Sequence, residues 1–93
     1  MSSPSHRVFA VYDNAAGAYL QPFFMTTIGL AIRAFEGAAT DQNHQFFNHA
    51  GDYTLFEIGT FDEVTGELVS NQNYSRLMSA LEAQNRPEKG EEK

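Results

Sequence analysis

The chain has 93 residues, 42% of them hydrophobic, with 8 Phe and 4 Tyr. That content supports one domain with an aromatic-rich core and excludes disorder over most of its length. The absence of Cys excludes disulfides, thiol catalysis and cysteine zinc sites, and the net charge of −6 argues against a broad phosphate-binding surface.

In chain order, residues 1–5 read as a flexible lead. Arg7-Val-Phe-Ala-Val-Tyr12 is β-branched and aromatic and predicts a strand. The turn residues Asp13-Asn-Ala-Ala-Gly17 follow, and Ala18 to Met25 is the expected return strand. Pro22 lacks a backbone donor, which puts that strand on an edge or breaks it at Gln21. Thr26 or Thr27 can cap a helix starting at Ile28, whose apolar stripe is Ile28, Ala31, Ile32, Phe35 and Ala39. Gly37 marks a candidate early end to it.

Residues 40–52 have no clear period and read as a structured loop in which Phe46 and Phe47 need cover. Tyr53 to Phe61 carries apolar side chains on both faces and predicts a central strand. Asp62-Glu-Val-Thr-Gly66 is a hairpin loop, and Glu67 to Ser70 a short return strand. Asn73 can cap a second helix with Tyr74, Leu77, Met78 and Leu81 as its stripe, ended by Pro87. Residues 85–93 read as a charged tail, leaving 6–84 as the domain. The expected fold is α+β: a small antiparallel sheet of two hairpins with two helices on one face, in the order β-β-α-β-β-α.

Charge is unevenly spread. Residues 1–40 and 68–93 each balance, whereas 41–67 holds Asp41, Asp52, Glu57, Asp62, Glu63 and Glu67 with no Lys or Arg. A surface that meets a polyanion should avoid that segment. The polar start and the shortness of the run Val8 to Tyr12 predict neither a signal peptide nor a membrane span, and an intracellular protein with no membrane partner is expected.

Several blocks carry a resemblance. Ala10-Val-Tyr-Asp13, Ala18-Tyr-Leu-Gln-Pro-Phe-Phe24 and Gly29-Leu-Ala-Ile-Arg-Ala-Phe35 make the front half. Asp41-Gln-Asn-His-Gln-Phe46, His49, Asp52-Tyr-Thr-Leu-Phe-Glu-Ile-Gly-Thr-Phe-Asp62 and Thr65-Gly66 make the back half. In order and spacing, over residues 8–67, these resemble the small nonstructural proteins of the gokushoviruses (Microviridae), tailless single-stranded DNA phages. The resemblance implies a DNA-binding protein of genome replication or packaging, in the host cytoplasm and outside the mature virion, with no catalytic residues and no cofactor. After residue 70 it implies nothing.

Single-stranded nucleic acid binders combine aromatic rings, on which bases stack, with a basic groove. The candidate residues are Tyr19, Phe23, Phe46 and Phe47 for stacking and Arg7, Arg33 and Arg76 for phosphate contact. Packing in the core or at a dimer interface for the rings and surface ion pairs for the arginines are the competing readings. Three arginines on one copy bind phosphate weakly, so DNA binding by this chain predicts a homo-oligomer that pools them. The loop residues Asp41, His44, His49 and Asp52 could be metal ligands, but their spacing matches no ligand pattern, and turn capping is the simpler role. The chain has no nucleophile elbow or phosphate loop, so no enzyme is expected. A second functional reading is a module whose acidic hairpin docks on a viral replication or capsid protein; a third, weaker one is a host-directed effector.

Overall fold

The computed structural model describes residues 5–85. The expected lead and tail lie outside them, except that the first strand already begins at Ser5 and the last helix includes Asn85. The strands are β1 (Ser5–Asp13), β2 (Ala18–Tyr19), β3 (Phe23–Met25), β4 (Tyr53–Asp62) and β5 (Leu68–Ser79); the helices are α1 (Ile28–Ala39), α2 (Gln45–Asn48) and α3 (Ala80–Asn85). The sheet is antiparallel in the order β2-β1-β4-β5, with β3 also paired to β1. This is the α+β architecture expected, with one more helix.

Both hairpins use the same turn chemistry. Asp13 Oδ1 accepts from the N–H groups of Ala15 and Ala16, and Asp62 Oδ1 from those of Val64 and Thr65. Gly17 and Gly66, each four residues on, take positive φ of 69° and 80°. The return of the first hairpin is split at Gln21-Pro22 into β2 and β3, both edge pieces on β1.

The helices cover one face of the sheet. Phe9 and Val11 of β1, Tyr53 and Leu55 of β4 and Met78 of β5 pack with Ala31, Phe35 and Ala39 of α1, Phe46 of α2, and Ala80 and Ala83 of α3. Thr27 caps α1, its Oγ1 accepting from the Leu30 N–H at 3.1 Å. The helix runs through Gly37, which burial of Ala39 outweighs, and ends at Thr40. Residues 40–52 contain α2 and a single 3₁₀ turn, Ala50–Asp52. Their polar side chains serve the backbone, with Asp41 Oδ1 accepting from the Asn43 N–H and His44 Nδ1 from the Phe46 N–H.

The stretch from Asn73 differs from expectation. It does not start a helix: β5 continues to Ser79, pairing Met78 with Leu55 and Arg76 with Phe56, and α3 begins only at Ala80. The apolar spacing of Tyr74, Leu77, Met78 and Leu81 fits a helix in isolation. The edge of the central strand β4 offers unpaired backbone groups that an extended chain satisfies, and that gain prevails. The true start signal is Ser79-Ala-Leu-Glu82, a reciprocal capping box: Ser79 Oγ accepts from the Glu82 N–H and Glu82 Oε1 from the Ser79 N–H, both at 3.0 Å. Gln84 then donates to the carbonyls of Ala39 and Phe47, tying α3 to the ends of α1 and α2.

This box makes α3 sensitive to acid. The Ser79 N–H first, and Arg76 second, hold the Glu82 carboxyl below its ordinary value of 4.5. A depressed folded value means the contribution is complete above 4.5 and lost as pH falls through the folded value. Amide exchange of α3 in the wild type and in Glu82→Gln should therefore differ near neutrality and converge in acid, once the pH is below the depressed folded value. A difference of the same size at both pH values would contradict the assignment.

Candidate functional site

The face of the sheet opposite the helices carries the feature that the core does not explain. Register partners project to the same side of a sheet. Tyr12 is opposite Tyr19, Val8 opposite Phe24, Ala10 opposite Phe56 and His6 opposite Phe61, so all eight share the helix-free face. Tyr19 is the hub of this surface. Its ring lies 4.8 Å from Tyr12, 5.9 Å from Phe56 and 5.8 Å from Tyr74 between centroids, each edge-to-face. Phe24 meets Phe61 in the same manner at 5.5 Å.

These rings shelter Val8 and Ala10, which are buried but belong to no helix-side contact set. Their outer sides stay in solvent: Tyr19 is 44% exposed, Phe24 45% and Tyr74 43%. Between Phe24 and β5 the face dips into an apolar hollow of about 230 Å³, with Val8, Ile58, Gly59, Leu68 and Val69 among its walls. The result is a ring-studded surface with an adjoining recess.

The seven side chains selected from sequence do not converge on one site. Tyr19 stands at the centre of the open face. Phe23 points the other way, stacked on Phe9 at 5.7 Å and packed against the core. Phe46 is buried between Phe35 and Tyr53, and Phe47 is half-buried, its carbonyl held by Gln84. Arg7 donates to the buried carboxylate of Glu57 at 2.7 Å, and Arg76 to Glu82 at 3.0 Å. Arg33 is exposed on α1. The arginines therefore sit on three elements: Arg7 and Arg76 each face a carboxylate, and Arg76, paired with Phe56, shares the open face with Tyr19.

Tyr12, Phe24, Phe56 and Tyr74 are the members that sequence reasoning missed. One signal was available for Tyr12: a turn over 13–17 places it directly opposite Tyr19. Tyr74 had none, because the sequence predicts a helix where β5 runs. Between the pairs Glu57↔Ser75 and Gly59↔Ser70, β4 contributes Ile58 alone while β5 contributes residues 71–74. Tyr74, two residues before Arg76, the partner of Phe56, keeps the face of Phe56 and meets Tyr19.

A comparison with protein families decides the origin of the chain. The model of the family described as "Phage ORF5 protein" matches residues 6–83. The chain belongs to that family, and it is a phage protein. The match runs from the first strand to α3 and so includes every element of the open face. No curated protein and no solved structure matches the chain. Among the described residues, no helix is long and apolar enough to cross a membrane.

Proposed function

We propose that this Phage ORF5 family member is a non-catalytic, nonstructural protein of the gokushovirus type that binds single-stranded DNA by stacking bases on its helix-free sheet face. It would act in the host cytoplasm during genome replication or packaging, outside the mature virion. The observation that carries the reading is the common exposure of Tyr19, Phe24 and Tyr74 on one face. Sheets that present rings in this way bind single strands through sequence-tolerant stacking, worth about 1–3 kcal/mol per base.

The arrangement of the arginines changes how such binding works. Arg7 and Arg76 are already partnered, and Arg33 lies on the helix layer. Phosphate neutralisation is then a minor contributor, and a second copy is not needed to pool charge. Each neutralised phosphate on a single strand steepens the slope of log K against log salt by about 0.7. Anisotropy of labelled oligo(dT) should accordingly rise with protein, with a salt slope no steeper than about −1. Tyr19→Ala should weaken binding about tenfold to a hundredfold, while Arg33→Glu should leave it nearly unchanged. No rise at low salt and high protein concentration, or an unaffected Tyr19→Ala, would refute the reading.

The acidic-hairpin alternative draws less support. Of the six carboxylates in 41–67, Asp41 and Asp62 are engaged in their turns, Glu57 is in an ion pair, and Asp52 lies in the 3₁₀ turn before β4, away from the hairpin. Glu63, 3.6 Å from His6, and Glu67 are left to form the exposed tip.

A further inference from the structure

We infer that the bulge at residues 71–74 reads the edges of unstacked bases and favours adenine. The inference rests on the stacking face and specifies what that face selects. A common β-bulge sets two residues against one and suffices to bend and twist a strand. Here four residues oppose Ile58 alone, more than strand twist requires.

The inserted residues are Asn71, Gln72, Asn73 and Tyr74. Tyr74 packs edge-on against Tyr19, so the bulge borders the ring cluster. Gln72 and Asn73 are exposed and Asn71 is half-exposed. Among the described residues, none of these three side-chain amides takes part in a hydrogen bond.

A carboxamide holds a donor and an acceptor side by side, the pattern complementary to adenine N6 and N7. Residues 68–75 carry no charged side chain. A chain with net charge −6 thereby offers a neutral approach to a phosphate-bearing strand at this edge. Ser70, in the wall of the hollow, immediately precedes the bulge in the chain, and Tyr74 at its other end belongs to the ring cluster.

The test compares oligo(dT) with the same oligonucleotide carrying one central adenine, by anisotropy at fixed salt. The wild type should bind the adenine-containing strand at least about fivefold more tightly, the lower bound for one good bidentate contact. Gln72→Ala combined with Asn73→Ala should erase that preference and retain the affinity for oligo(dT). Equal binding of both strands by the wild type, or a preference that survives the double substitution, overturns the inference while leaving the stacking face intact. Failure of the wild type to bind either strand overturns both.

Discussion

Gly59→Ala should lower stability by about 3 kcal/mol, the upper part of the range for overpacking a close-fitted site. A methyl group there would lie 2.3 Å from the Val69 carbonyl oxygen, 3.2 Å from its carbon and 3.3 Å from the Ser70 Cα. All three are backbone atoms, so no side chain can swing away and β5 itself must lift from β4. For a domain of this size the midpoint of thermal unfolding should fall on the order of 15 °C. Because Gly59 floors the hollow and pairs with Ser70, the displacement should also disturb the open face. Gly37→Ala is the matched control. Nothing lies within 4 Å of its Cβ position, and on an exposed helix site alanine should add up to about 1 kcal/mol. An unchanged melting point for Gly59→Ala would mean that β5 is not seated where the structure puts it.

Arg7→Met is expected to destabilise the fold by about 3 kcal/mol rather than merely weaken nucleic acid binding. Glu57 is 7% exposed in the middle of the sheet, and the Arg7 guanidinium is its partner at 2.7 Å. Removing the cation strands a carboxylate that water hardly reaches. The effect belongs at the lower end of the range for buried pairs, because the Arg7 side chain is 46% exposed and part of the attraction is screened. Replacing both partners, Arg7→Met with Glu57→Met, should recover most of the loss, since two apolar side chains carry no desolvation penalty. Urea unfolding of the two variants measures the difference. An Arg7→Met protein of wild-type stability but weakened DNA affinity would return Arg7 to the binding surface.

Much of the scaffold was legible because local signals and tertiary demands agree. The β-branched run of β1, the Asp-to-Gly turns, Thr27 as a cap and the stripe of α1 each specify one conformation, and the structure adopts it. The C-terminal third was not, for two physical reasons. A stripe at i, i+3, i+4 and i+7 is a helical signal, and pairing along β4 overrode it as far as Ser79. The bulge breaks the two-residue alternation between Ser70 and Ser75, so the strand pattern cannot be followed through it.

The site was legible to a smaller extent still. Tyr19 could be selected, but an aromatic residue in a sequence does not reveal which side of a sheet it will occupy. Phe23 and Phe46 turned inward for this reason, while Tyr12, Phe24 and Phe56 turned outward. Counting arginines was likewise uninformative about the two that carboxylates neutralise, since Arg7 and Glu57 are fifty positions apart.

Mapping amide and aromatic shifts by NMR as oligo(dT) is added tests the stacking face most directly. The account predicts changes concentrated at Tyr12, Tyr19, Phe24, Phe56 and Tyr74, with α1 silent. Shifts centred on Arg33 and the helix layer, with the rings of the open face unmoved, would contradict it.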